Sequence, residues 1–389
     1  MPPAREPVLF IAFHIEEDAQ LIDTEETLKA LCSAKGPPNY ESRVAEVVRQ
    51  TWEPLVDALE AGRMGDVVGV KRGDGPEPRR KVMLVGHMDE IALIVTKVEG
   101  AFLRIGQMAG MDRRVLPGQS VTVFGKRELP GYIGNIPPHI LPPEKRTQYP
   151  EFEDLVIDVG LPADEVAELV RVGDVVTFDA PPLALQGSRL AAKSIDNRAA
   201  VAAITVCLDQ LQSRGHTWDV LAVATTSEEF GGYQGARTTA YRYRPDIGIA
   251  LDVTFASQPG FNEGHDLGGG PTLALGPNFH PKLFKAIKEA AERIEMTVHT
   301  EPEWAVGGTD AVPLQVSREG IPTALIGIPL RNMHTSVEVV DVKDVERAGR
   351  LLAEFIAGLA PDFMDTLVWD TEPCEEEDAG EEEGDDDAA

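Results

Sequence analysis

Five short clusters of metal-binding residue types punctuate this chain. They are Gly86-His87-Met88-Asp89-Glu90, Ser194-Ile195-Asp196-Asn197-Arg198, Ser227-Glu228-Glu229-Phe230-Gly231, Ile249-Ala250-Leu251-Asp252 and Asn332-Met333-His334-Thr335. Each sits where an apolar, strand-like run ends. Two imidazoles and three carboxylates can hold two divalent cations if one carboxylate bridges them. One glutamate is then left over as a proton carrier. Such a set is the minimum for hydrolysing an amide with a cation-activated water.

Each cluster has a bland reading beside the chemical one. His87 closes the run Val82-Met83-Leu84-Val85, which places its ring at the carboxyl edge of a sheet, where open α/β sheets bind ligands. Alone it could be an ordinary loop histidine, with Asp89 a cap. As a functional pair, Asp89 would fix the imidazole tautomer. Asp196 precedes a helical pattern and could be its N-cap, but Ser194 or Asn197 could cap as well and free Asp196 for a cation. Glu228-Glu229 could be a solvated acidic turn. The buried run Leu221 to Ala224 before the pair argues otherwise. Adjacent side chains in extended backbone diverge, so one can ligate while its neighbour meets a water. Asp252 ends the run Ile247 to Leu251, and His334 lies in a short loop after Ile328-Pro329. Each is weak singly; together they recur at one kind of topological position. The other six histidines lack such settings, and the tempting pair His265-Asp266 sits in a Gly-rich loop.

These positions imply the elements that carry them. Helical spacing runs from Glu41 to Leu59 through Val44, Val47, Val48, Trp52, Leu55 and Leu59, with Pro54 expected to kink or split it. Asn197 to Arg214 and Val345 to Leu359 also read as helices. Val82 to Val85, Val220 to Ala224, Ile247 to Leu251 and Thr323 to Ile328 read as buried strands. Strands alternating with helices predict an α/β fold with a mostly parallel mixed sheet flanked by helices. The stretch 96–185 has a different texture, rich in Gly, Pro and Val, with short alternating segments at Ser120 to Phe124 and Asp174 to Phe178. It reads as a small β-rich domain inserted between catalytic segments 1–95 and 186–370. Residues 371–389 hold eleven acids and no base, and read as a disordered acidic tail.

The chain has 389 residues and a net charge of −29. The body remains acidic without the tail, which argues against nucleic-acid or anionic-membrane partners. No apolar run approaches membrane-spanning length. Val8 to Phe13 resembles a very short signal core, but acids follow at once and no small-residue cleavage site is present. It reads as an N-terminal strand or arm. Three cysteines, Cys32, Cys207 and Cys374, make no disulfide framework. A cytoplasmic location is expected.

The clusters, with further stretches, resemble a known family. Besides Gly86-His87-Met88-Asp89-Glu90-Ile91, Lys193 to Arg198 and Glu228-Glu229, there are Val115-Leu116-Pro117-Gly118-Gln119, Ile133 to His139, Gly308-Thr309-Asp310-Ala311, and Met333-His334-Thr335 with Val337-Glu338-Val339-Val340. The chain is similar to the TET-type (tetrahedral) dinuclear metallo-aminopeptidases, also described as glutamyl-aminopeptidase-like or deblocking aminopeptidases. The resemblance implies a zinc-exopeptidase-like catalytic domain and an inserted domain that helps build a shell of twelve subunits. It implies removal of N-terminal residues from small peptides with two zinc or cobalt ions per subunit. One ion would bind His87, Asp196 and Asp252, the other Asp196, Glu229 and His334. Glu228 would be the general base and Asp89 the support behind His87. Gly308, Thr309 and Asp310 would contact substrate. The loop Phe230 to Gly235 departs from the family pattern: it is one residue longer and lacks an arginine.

Two other readings compete. A related metal-dependent deacylase or carboxypeptidase shares a similar ligand kit. Its extra domain usually follows the fourth ligand, whereas here the insert lies between His87 and Asp196. A non-catalytic assembly protein with a relic site would be expected to have lost ligands, and none is missing.

Overall fold

The computed structural model describes residues 22–368. The Val8 to Phe13 run, Cys374 and the acidic segment 371–389 lie outside them. Three strands come first: β1 (Ala58–Ala61), β2 (Val67–Lys71) and β3 (Lys81–His87). Six follow as a block: β4 (Leu93–Glu99), β5 (Phe102–Gln107), β6 (Ser120–Phe124), β7 (Glu128–Gly134), β8 (Val156–Asp158) and β9 (Val175–Phe178). The rest are β10 (Leu183–Ala184), β11 (Arg189–Ala192), β12 (Asp219–Thr225), β13 (Ile247–Phe255), β14 (Thr272–Leu275), β15 (His299–Pro302), β16 (Thr323–Arg331) and β17 (Glu338–Asp341). The helices are α1 (Thr24–Ser33), α2 (Ser42–Trp52), α3 (Ala163–Leu169), α4 (Ile195–Gln210), α5 (Gln234–Tyr243), α6 (Pro281–Arg293), α7 (Ala311–Gln315) and α8 (Val342–Ala357).

Among the described residues, eleven strands form one mixed sheet, and β4 to β9 close into a separate barrel. The heart of the sheet, β12, β3, β13 and β16, is parallel. The flanks, through β2, β1, β17, β11 and β10, pair antiparallel. The apolar run of β3 explains its central place. Val82 and Leu84 enter one core with the α1, α2, α4 and α8 side chains, while Met83 and Val85 enter another with Ala240 of α5 and Leu314 of α7. A strand with both faces covered has no position to spare for a polar residue.

Helix α4 is buried along its whole length. Its alanines let the backbones of neighbours come close. A Cβ on Gly86 of β3 would stand 2.7 Å from the Ala200 Cβ, and one on Gly349 of α8 would stand 2.5 Å from the Ala203 carbonyl oxygen. The helical pattern beginning at Glu41 ends sooner than its spacing suggests. α2 stops at Trp52, a 3-10 turn carrying Pro54 follows, and Leu59 lies in β1. Pro54 lacks the N–H that would continue the ladder, and Leu59 reaches the same core from a strand instead.

The barrel has its own core, built from inward residues such as Val95, Leu103, Val121, Val123, Ile133, Ile157 and Val176. Polar contacts tie it to the sheet domain, among them two from Lys35 and Ser336. Lys35 Nζ donates to Thr122 Oγ1 at 2.7 Å, and Ser336 Oγ donates to Gln119 Oε1 at 2.9 Å. No helix among the described residues is long and apolar enough to cross a membrane.

The α4–α8 contact leaves no room for a methyl group at Gly349. Gly349→Ala is expected to destabilise the protein by about 1–3 kcal/mol through overpacking. Denaturant unfolding checks this; an unchanged midpoint would show that α8 can shift without cost.

Candidate functional site

The parallel strands deliver their carboxyl ends to one crevice. His87 is the last residue of β3 and Thr225 the last of β12, and the two are paired in register. The chain then turns through Ser227, at a φ of +57°, and presents Glu228 and Glu229. Asp252 lies inside β13, which runs on to Phe255 rather than ending at Leu251. Asp196 sits in the first residues of α4 with extended backbone, and its two carboxylate oxygens are turned to His87 and His334. His334, at a φ of +60°, occupies the turn between β16 and β17. Ser194, Ser227 and His334 thus all hold left-handed backbone beside the crevice. Non-glycine residues adopt it only when surroundings impose it.

The side chains converge. His87 Nε2 is 3.2 Å from Asp196 Oδ1 and 3.7 Å from Glu228 Oε2. His334 Nε2 is 3.3 Å from Asp196 Oδ2 and 3.5 Å from Glu229 Oε2. Ligand atoms of His87, Asp196 and Asp252 lie within 4.8 Å of one another, as do those of Asp196, Glu229 and His334. Asp196 belongs to both groups and offers one oxygen to each. Donors bound to one tetrahedral zinc lie about 3.4 Å apart, given bond lengths near 2.0–2.2 Å, so this spacing suits ions held between them. Glu229 Oε1 is buried without a hydrogen-bond partner, a second sign of a cation position. His265 and Asp266 join no such group among the described residues; the His265 ring stands against His299, 5.6 Å between centroids.

The electrostatics agree. Burial, then the neighbouring carboxylates, raises the proton affinity of Glu229, with Asp196 foremost among them. Asp252 is pushed well up by burial and then by Asp196. Glu228 is pushed up to about 10 by burial and then by Asp252, Asp310 and Asp196. Burial would lower the pKa of His87, but Glu228, Asp196 and Asp89 override it and hold the ring well above its ordinary value. Burial works against Asp196 too, yet its bonds to His334 and His87 pull it below the usual carboxylate range. So many acids in one low-dielectric crevice repel one another unless cations or protons join them.

Supporting residues fix this set. Asp89 accepts the Glu228 N–H and the Glu229 N–H, both at 3.1 Å, and lies 3.5 Å from His87 Nδ1. It therefore clamps the glutamate loop as well as facing the histidine. Glu338, in the notable stretch Val337 to Val340 but without a sequence-assigned role, accepts the Asp196 N–H and the His334 N–H, both at 3.0 Å. Glu90, Lys193 and Arg198 form a buried ion cluster, with Lys193 Nζ 2.6 Å from Glu90 Oε2. It joins the His87 segment to the Asp196 segment. The signal for it was present: an acid in one motif and two bases in the other. Asp310 is buried and accepts from the Thr225 hydroxyl, while Thr309 is half-buried and Gly308 exposed.

A parallel sheet with two donor groups sharing one aspartate at its carboxyl edge is the arrangement of a metal-dependent hydrolase. The model of the M42 glutamyl aminopeptidase family matches residues 65–351, and the chain belongs to that family. It is a metal-dependent aminopeptidase, a hydrolase of peptide bonds. A lysyl aminopeptidase of Pyrococcus furiosus is 32% identical over 86% of this chain and 97% of its own length. The crystal structure of a TET aminopeptidase from the marine sediment archaeon Thaumarchaeota archaeon SCGC AB-539-E09 superposes with a TM-score of 0.83 at 30% identity, covering 89% of this chain and 99% of that one. The TET1 peptidase of Pyrococcus horikoshii, which can assemble into a tetrahedron or a large octahedral shell, superposes with a TM-score of 0.75 at 27% identity, over 87% of this chain and 100% of its own.

Because, among the described residues, Asp196 alone faces both histidines, Asp196→Asn is expected to weaken binding of two cations together. Asp252→Asn should weaken chiefly one. Metal analysis in which both variants lose the same single equivalent would overturn the shared role of Asp196.

Proposed function

We propose that this chain removes N-terminal residues from small peptides, with two divalent cations, zinc or cobalt, bound per subunit. One cation would be held by His87, Asp196 and Asp252, the other by Asp196, Glu229 and His334. The observation that carries this is Asp196, buried, with its two oxygens turned to two different histidines. Cations bound there would polarise a peptide carbonyl and acidify a water. Glu228 is the proton carrier. It stands beside His87 and outside both donor groups. It takes a proton from the attacking water and delivers it to the leaving amine. Burial raises its proton affinity, and bound cations beside it would favour the carboxylate form in which it can accept that proton. Asp89 holds the Glu228 loop in place, and Gly308, Thr309 and Asp310 wall the substrate side. The family match does not favour a deacylase or a relic site.

We also propose that residues 96–185 act as an inserted oligomerisation domain in a homo-oligomer, a dodecamer. Support comes from the shells formed by the Pyrococcus horikoshii relative. It comes also from large apolar side chains exposed on and beside the barrel, among them Tyr132, Ile136, Ile140 and Tyr149. Patches of this kind mark contact surfaces. The peptides would be met in the cytoplasm; Cys32 and Cys207 are buried free thiols, as a reducing compartment allows.

Glu228→Gln should keep the cations and lower turnover on unblocked peptides on the order of 10²–10⁴-fold. Near-normal turnover would falsify the proton-carrier role. Light scattering should find a large closed oligomer at micromolar concentration in both low and moderate salt. A monomer under both conditions would sink the shell.

A further inference from the structure

The loop between Glu229 and α5 ends on an unexpected residue. Gly231 N–H donates to the Glu228 carbonyl at 2.6 Å, Tyr233 N–H to the Ser227 carbonyl at 3.0 Å, and Gly235 N–H to the Thr226 carbonyl at 3.2 Å. The loop is therefore folded back on the strand end that carries Glu228. Tyr233 holds a φ of +50° within it. Left-handed backbone favours glycine or asparagine, and a large aromatic residue there is an outlier. The side chain does not fill a core, because Tyr233 is only half-buried. Neither local preference nor packing accounts for a tyrosine.

The position of its hydroxyl does. It lies 3.9 Å from where a Cβ on Gly308 would be. The phenol thus reaches from the Glu228 loop to the segment leading into Asp310. Burial first, and then the charges of Glu228, Asp310 and Asp252, raise its pKa. It keeps its proton at neutral pH and can donate it in a hydrogen bond. Those three neighbours are acids, which when ionised can only accept. A peptide entering here brings carbonyl oxygens that need a donor, and Tyr233 offers an uncharged one within the field of those acids.

We propose that the Tyr233 hydroxyl donates a hydrogen bond to the carbonyl oxygen of the peptide bond being cut. This inference rests on the Glu228-centred reading above. The bond would strengthen as negative charge grows on that oxygen, so it acts on turnover more than on binding.

Tyr233→Phe keeps the ring and the loop and removes only the donor. On the cation-loaded enzyme it should lower kcat and kcat/KM together on the order of 10²-fold, with KM, cation content and Tm little changed. An uncleavable peptide analogue with a tetrahedral hydroxylated carbon should lose affinity by a similar factor. Phe230→Ala, in the same loop but exposed, should leave kcat in place. A wild-type kcat in Tyr233→Phe overturns the proposal. So does an equal fall in Phe230→Ala, or a loss of cations or Tm alongside kcat, since either would mean that the loop and not the hydroxyl matters. Failure of the underlying reading shows separately, as an active Glu228→Gln variant.

Discussion

Mutual repulsion among buried carboxylates is the constraint around which this protein is built. Asp89, Asp196, Glu228, Asp252, Asp310 and Glu338 are all largely withdrawn from water within one region. Charged oxygens in a low dielectric cost several kcal/mol each unless partnered. The histidines meet part of that demand, and Asp196 shows it by its lowered pKa. Glu228, Glu229, Asp252, Asp310 and Glu338 instead bind protons more tightly than ordinary carboxylates. A crevice of this kind needs protons or cations among its acids, and cations are the partners that fit a metal-dependent aminopeptidase.

Two supporting acids work in a different way from the donor groups. Asp89 and Glu338 spend their oxygens on backbone N–H groups, those of Glu228 and Glu229 in one case and of Asp196 and His334 in the other. They fix loop backbones, and the loops aim the donors. The left-handed turns at Ser194, Ser227 and His334 are affordable because of such clamps. The buried Glu90, Lys193 and Arg198 cluster adds a second tie between the His87 and Asp196 segments. Breaking one member would leave an uncompensated buried charge.

The barrel is energetically distinct from this machinery, with its own core. Yet it leans on the site. Gly110, in the segment after β5, lies close to the His334 ring, a Cβ there meeting Nδ1 at 3.5 Å. Gln119 accepts from Ser336, two residues beyond His334. A contact surface on the barrel would therefore be mechanically joined to the most exposed of the donor side chains.

Much of the site was legible in the chain alone. His87, Asp196, Glu228, Glu229, Asp252 and His334 each stand at the end of an apolar run, and a parallel sheet sends such ends to one edge. The central strands were legible for the same reason, since a strand buried on both faces reads as unbroken apolar sequence. What spacing did not carry was pairing and direction. That Asp89 would grip two amides rather than simply orient a histidine depends on loop backbones no local pattern encodes. Glu338 looked like part of a strand motif, and only the turn at His334 brings it under Asp196. The antiparallel flanks were likewise decided by neighbours, and while Pro54 marked the break after α2, that Leu59 would reach the core from a strand was not legible. Residue types determined which chemistry was possible. The tertiary structure decided which oxygen faces which partner, because burial and backbone closure set those distances.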